Sequence, residues 1–212
     1  MAVQQSLVTI ESRWGKPATH VMHSHPHASR LVVIFPGSNY PVDAPLLRFA
    51  RIAALEQGFD ALSLEYGFQT NRSDIQSEDI STISEEANRA IVAVSQSYET
   101  LIFISKSLGT VVAGRVQQQR PVGAEIHHHI FLTPLPATVE SMRNTPHAMV
   151  IVGTRDPLFD AEQIARVSQL SHIELRTIQG ANHALEVDGY RASLNALGDA
   201  TDWCAQFLQD IR

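Results

Sequence analysis

A single cysteine, Cys204, stands in the 212 residues, which excludes an internal disulfide and any cysteine-built metal cluster. No apolar run approaches the roughly 20 residues needed to span a bilayer. The N-terminal residues Met1–Ser6 also lack the basic segment and apolar stretch of a secretory signal, so a cytoplasmic location is expected. Positive charge is scarce: 16 Lys and Arg stand against 22 Asp and Glu, for a formal charge of -6. Nucleic-acid binding calls for a basic surface, so no such partner is expected, nor is a membrane. Only Lys16 and Lys106 are lysines. Internal repeats, low-complexity segments and linkers are missing too, and one domain over residues 1–212 is the expectation. What remains, 44% hydrophobic and 18% charged residues, is the composition of a globular chain with enough apolar material for a sizeable core.

The most informative stretch runs from Leu101 to Ala113. Leu101-Ile102-Phe103-Ile104 is a short apolar run rich in β-branched and aromatic residues, which suits a strand covered on both faces of a parallel sheet. Leu108, Val111, Val112 and Val116 then recur at helical spacing. Between them sits Ser105-Lys106-Ser107-Leu108-Gly109, a variant of the GxSxG elbow with serine in place of the first glycine. An elbow needs small residues two before and two after its nucleophile, because the serine is held on a strained strand-to-helix turn. The backbone N–H of Leu108, at a helix N-terminus, would point where an oxyanion forms. A serine-rich helix cap would use the same residue types, so the five residues leave both open.

The rest of the chain alternates strand and helix. Leu7–Trp14 and His20–His25, separated by Gly15-Lys16-Pro17, read as an antiparallel hairpin at the sheet edge. Its His20, His23, His25 and His27 suit a metal by residue type, but solvated histidines on a polar edge strand are the expectation, as are polar roles for His127, His128 and His129. Arg30–Phe35 is a buried strand ending in Pro36-Gly37-Ser38-Asn39-Tyr40, a glycine turn able to aim backbone N–H groups at a site above the sheet. Helices are expected over Ala44–Gln57 and Ser77–Tyr98, a strand over Phe59–Glu65, and a polar, turn-like stretch over Tyr66–Gln76. Strands are expected over Ile126–Thr133, Ala148–Gly153 and His172–Ile178, with a helix over Asp160–Gln169 and a closing helix carrying Leu194 to Leu208. Cys204 in that last helix reads as a small buried or half-buried thiol. Too few residues separate Pro134 from Thr145 to hold a lid. The pattern predicts an α/β fold with a mainly parallel, doubly wound sheet flanked by helices.

In a parallel sheet the strand-to-helix loops emerge at one edge, so Ser107, Asp156 and His183 arrive there in chain order as serine, acid and histidine. A serine hydroxyl is a poor nucleophile until a histidine takes its proton, and an acid on the other ring nitrogen sets the tautomer and stabilises the imidazolium. Singly, Asp156 could be an Asp-Pro turn residue and His183 a loop residue.

These motifs resemble the α/β-hydrolase superfamily in a small, lidless form. Pro36-Gly37-Ser38 is similar to its His-Gly oxyanion turn, Ser105–Gly109 to its elbow, Gly153–Asp156 to its acid loop and Gly180–His183 to its histidine loop. Two departures are Ser105 for the elbow glycine and Pro36 for the histidine. The resemblance implies Ser107 as nucleophile, Asp156 as acid, His183 as base, and the N–H groups of Leu108 and Ser38 as the oxyanion hole. Ser105 is a rival nucleophile expected to face the packed sheet, and Asp160 and Glu186 are rival acids. Asn39, Tyr40, Phe68, Leu135, Leu158, Phe159 and Leu185 are the expected substrate-binding rim, with Lys106 and Arg155 as solvated surface cations. No metal and no cofactor are expected. The implied function is a serine hydrolase of the carboxylesterase or thioesterase kind, cleaving small-molecule esters or thioesters through an acyl-enzyme. The alternative is a non-catalytic binding or scaffolding protein on the same fold. Metal-dependent hydrolysis through the N-terminal histidines would be chelator-sensitive.

Overall fold

Alternation along β3 (Arg30–Phe35) sends Leu31, Val33 and Phe35 to one face of a sheet and Val32 and Ile34 to the other, and all five are buried. A strand apolar on both faces needs a helical layer on each, which is why this run forms an interior strand. The computed structural model, which describes residues 3–119 and 126–211, places it within an eight-stranded sheet.

The strands are β1 (Gln4–Ile10), β2 (Ala18–Ser24), β3, β4 (Asp60–Ser63), β5 (Thr100–Ser107), β6 (Ile126–Pro134), β7 (His147–Gly153) and β8 (Ile173–Ile178), in the order β1-β2-β4-β3-β5-β6-β7-β8. The expected N-terminal hairpin is there: β1 pairs antiparallel with β2 from Gln4↔Ser24 to Ile10↔Ala18, and β2 pairs antiparallel with β4. From β4 to β8 the pairing is parallel. Helices α1 (Pro45–Glu56) and α7 (Tyr190–Asp210) cover one face, over Val32, Ile102, Ile130 and Met149. Helices α3 (Asp79–Ser95) and α4 (Leu108–Gln119) cover the other, over Leu31, Val33 and Phe103. On that second face α5 (Val139–Arg143) and α6 (Ala161–Ser168) continue the layer over Phe131, Val150 and Val152. Between β6 and β7 the chain makes only a 3-10 turn at Pro136–Thr138 and α5, so no lid domain is inserted there. Among the described residues no helix is long and apolar enough to cross a membrane.

The structure corrects several expectations. A short helix, α2 (Gly67–Asn71), occupies part of the stretch read as turn-like; its five residues are too few to show apolar periodicity, and its first turn is held by Gln69 bonding back to the Tyr66 backbone. The helix expected over Ser77–Tyr98 is shorter at both ends, and Tyr98 instead donates its hydroxyl to Asp60 at 2.5 Å. The histidines of β2 are not uniformly solvated, because β1, not β2, forms the edge. His20 is 2% exposed, and its Nδ1 accepts the Glu65 N–H at 3.1 Å. His25 meets Asp60 at 3.3 Å, while His27 is exposed. His129 is fully buried, and His128 Nδ1 lies 3.2 Å from His147 Nδ1; the side chain of His127 lies outside the described residues. Cys204 is buried, and burial pushes its thiol up to about 12.

Burial pushes His20 down from 6.5 to about 4. Between those values the unfolded chain binds more protons than the folded one, so stability is full above pH 6.5 and is lost as pH falls toward 4, by up to about 3 kcal/mol. His20→Asn, whose Oδ1 can still accept the Glu65 N–H, is expected to flatten this acid limb. Urea unfolding at pH 7 and near pH 4 measures it; an equal loss in both proteins would assign the acid sensitivity elsewhere.

Candidate active site

Ser107 closes β5 with a φ of 52°, a left-handed conformation uncommon for a residue with a β-carbon, and α4 begins at the next residue. The bend lifts Ser107 out of the sheet at the carboxyl end of its strand. It requires close approach of the helix to β3: a β-carbon on Gly109 would lie 2.5 Å from the Phe35 carbonyl oxygen and 2.6 Å from that of Pro36. Only glycine fits there. Ser105, by contrast, is fully buried, with its Oγ 3.5 Å from the Ile130 carbonyl.

Two further loops meet Ser107. The loop after β7 carries Asp156, and the loop after β8 carries His183. They are knitted together by the Thr154 N–H on the Ile178 carbonyl at 3.0 Å and the Arg155 N–H on the Ala181 carbonyl at 2.9 Å. Gly153 permits this, since a β-carbon there would overlap the Ala181 carbonyl. The outcome is that His183 Nδ1 lies 2.8 Å from Asp156 Oδ2, and His183 Nε2 lies 2.9 Å from Ser107 Oγ. A carboxylate only accepts, so the Nδ1–H donates to Asp156 and Nε2 is left as the acceptor of the Ser107 hydroxyl. The second oxygen of Asp156 accepts the Leu158 N–H at 2.9 Å. Neither rival acid reaches the ring: Asp160 caps α6 by accepting from the Glu162 and Gln163 N–H groups, and Glu186 is exposed.

Above Ser107 lies an open cavity of about 520 Å³, lined by Gly37 to Tyr40, Lys106, Pro157, Leu158, Asn182, His183 and Ala184. Of the expected rim, Asn39, Tyr40 and Leu158 line it. Phe68, Phe159 and Leu185 do not: each is buried in a core cluster, Phe159 in the one that also holds Val139 and Met142, Leu185 on the α7 face and Phe68 beside Tyr66 and Trp14. Leu135 is half-buried and also lies off the cavity, with its N–H 3.4 Å from Thr110 Oγ1. A larger hollow of about 700 Å³ flanks the start of α7, lined by Arg155, Glu186, Tyr190 and Leu194 among others. It shares Asn182 with the first cavity but does not contain Ser107. Among the described residues no group of three or more His, Cys, Asp or Glu is arranged to hold a metal ion.

Lys106 is not a solvated cation. It is 1% exposed, and its Nζ donates to Thr133 Oγ1 at 2.8 Å and to the His183 carbonyl at 2.9 Å, 4.6 Å from the centre of the Tyr40 ring. Burial pushes it down to about 8, and the nearby Asp156 charge resists that fall. Arg155 remains exposed, 3.8 Å from Asp188. Gln69 is the other residue whose part was not foreseen. It reaches the Gly37 turn and donates to the carbonyls of Gly37 and Ser38 at 2.9 and 3.2 Å. One signal was present for each: a lysine two residues after the apolar run Leu101–Ile104, and a glutamine three residues after Tyr66.

A serine on a tight strand-to-helix turn at the carboxyl edge of a mainly parallel sheet defines the class of fold, and the sequence agrees with it: residues 28–208 match the family model of the alpha/beta hydrolase domain. The chain belongs to the α/β-hydrolase family. No curated protein matches the sequence. Among solved structures, the chain is similar to a Xanthomonas campestris protein described as an α/β serine hydrolase without lid, at a TM-score of 0.74 and 12% identity, covering 99% of this chain and 96% of that one. It is similar also to the Pyrococcus furiosus esterase Pf2001, at 0.73 and 12%, covering 98% and 93%. The dienelactone hydrolase of Anabaena variabilis aligns at 0.70 and 16%, covering 96% and 97%.

Proposed function

We propose that this chain is a serine hydrolase cleaving small ester or thioester substrates, with Ser107 as nucleophile, His183 as general base and acid, and Asp156 as the group that orients His183. The observation that carries the reading is the continuous hydrogen-bond chain from Ser107 Oγ through His183 to Asp156, 2.9 and 2.8 Å long. Ser107 Oγ attacks the acyl carbon as its proton passes to His183 Nε2. The negative charge on the former carbonyl oxygen falls to the N–H groups of Leu108 and Ser38. Collapse breaks the bond to the alcohol or thiol, which leaves with the proton from Nε2. Water, deprotonated by the same nitrogen, then attacks the Ser107 ester; the bond from the acyl carbon to Oγ breaks, Oγ takes the proton back from Nε2, and the acid is released.

The open cavity and the lack of an inserted lid favour short or exposed acyl groups, packed against Tyr40 and Leu158 with Asn39 at the rim. The test is labelling by a fluorophosphonate, which reacts with an activated serine, in the wild type and in Ser107→Ala, Ser105→Ala and His183→Ala. Labelling is expected in the wild type and Ser105→Ala and not in the other two. A folded wild type that takes no label would sink the reading and bring forward a non-catalytic binding protein.

A further inference from the structure

We propose that Gln69 is a positioning residue of the oxyanion hole, holding the Gly37–Asn39 turn with its N–H groups aimed at Ser107. The inference rests on the serine-hydrolase reading above. Gln69 Nε2 donates to the Gly37 carbonyl at 2.9 Å and to the Ser38 carbonyl at 3.2 Å, while its Oε1 accepts the Tyr66 N–H at 3.1 Å. One amide orientation satisfies all three; the flipped one would set an oxygen against two carbonyls and an NH₂ against an N–H.

A trans peptide unit holds its C=O and the following N–H on opposite sides. Drawing the Gly37 carbonyl toward Gln69 therefore turns the Ser38 N–H away from Gln69, and drawing the Ser38 carbonyl does the same to the Asn39 N–H. Away from Gln69 is toward the reacting serine. A β-carbon on Gly37 would lie 3.5 Å from Ser107 Cβ, so the turn sits against the nucleophile. Ser38 and Asn39 line the Ser107 cavity. Gln69 is not part of that cavity; it lines a separate hollow with Ser38, Asn39, Phe68 and Arg72. The turn thus stands between the two, with carbonyls on the Gln69 side and N–H groups on the Ser107 side.

The clamp matters because the turn is held loosely by its own backbone. Its internal tie is the Gly37 N–H on the Tyr40 carbonyl at 3.0 Å, and glycine opposes a peptide flip only weakly. A flipped Gly37–Ser38 peptide would present a carbonyl where the hole needs a donor, replacing attraction to the oxyanion by repulsion.

The same side chain also caps α2 through Tyr66, and Gln69→Glu separates the two roles. A carboxylate at this helix position accepts the Tyr66 N–H as well as an amide does, yet has nothing to donate and faces two carbonyl oxygens. The experiment measures p-nitrophenyl acetate turnover by the wild type, Gln69→Glu and Gln69→Ala, each rate divided by the sites titrated with a saturating fluorophosphonate so that unfolded chains do not count. Both variants are expected to lose about 10²- to 10³-fold in kcat, as when an oxyanion donor is removed, with KM changed by less than about threefold since ground-state binding does not use the hole. Gln69→Ala carries the same comparison if Gln69→Glu does not fold. A variant that turns over within about threefold of wild type per titrated site would reduce Gln69 to a helix cap and overturn the inference alone. A folded wild type that neither takes label nor turns over would overturn the hydrolase reading, and the inference with it.

Discussion

Asp156→Asn is expected to lower kcat for an ester by about four orders of magnitude while leaving KM nearly unchanged. The size follows from the two hydrogen bonds Asp156 accepts. Its Oδ1 takes the Leu158 N–H at 2.9 Å and its Oδ2 faces His183 Nδ1 at 2.8 Å. In the asparagine variant the single oxygen is held by the Leu158 N–H, so the NH₂ turns to His183. Nδ1 must then accept, and the ring proton moves to Nε2, the atom that should receive the proton of Ser107. The site keeps its shape and loses its base. Steady-state kinetics on p-nitrophenyl acetate measures this, and a loss of less than about tenfold would remove Asp156 from the proposed mechanism.

Lys106→Met is expected to lower kcat by about 10²-fold, the order expected when a catalytic group shifts by about 1 Å, and to remove a component of alkaline stability. The amine ties the His183 carbonyl, Thr133 at the end of β6 and the Tyr40 ring beside the Gly37–Asn39 turn into one unit. Methionine fills the space but donates to neither oxygen. For stability the sign follows from the direction of the shift. Burial pushes Lys106 down from 10.5 to about 8, so between those values the unfolded chain holds more protons. Stability from this group therefore rises with pH across that window, by up to about 3 kcal/mol, and is lost again as pH falls through 8. Burial raises Cys204 to about 12 and raises Tyr98, which lowers stability at high pH in both proteins. The difference between wild type and Lys106→Met in urea unfolding at pH 8 and pH 10 isolates the lysine. Parallel pH dependence in the two would place its charge in solvent instead.

Much of the fold was legible because continuous apolar runs such as Leu31–Phe35, Leu101–Ile104 and Ala148–Val152 can be buried only between two helical layers. The candidate site was legible as three chemical types at strand ends: Ser107 closing β5, Asp156 just after β7 and His183 just after β8. Parallel strands put such loops at one edge whatever the strand order, so the group could be named before any distance was known. Gly109 could be read in the same way, because a helix starting at an elbow leaves no room for a side chain.

Chain order and residue type do not say which way a side chain turns at the edge of a loop. Leu158 and Phe159 are neighbours in the turn after β7, yet Leu158 lines the cavity and Phe159 is buried in the core cluster that also holds Met142; a turn has no fixed alternation, and only the packed layer decides which side chain is inward. Leu185 and Phe68 were drawn inward by the same competition for apolar cover. Lys106 and Gln69 were hidden for a different reason. Each reaches a backbone carbonyl, 77 and 32 residues away in sequence, and a carbonyl leaves no mark in the sequence of side chains. The amino-acid order determined that a serine, an acid and a histidine would meet at one sheet edge; the tertiary structure decided how they are held there, largely through contacts to backbone groups that every residue carries alike.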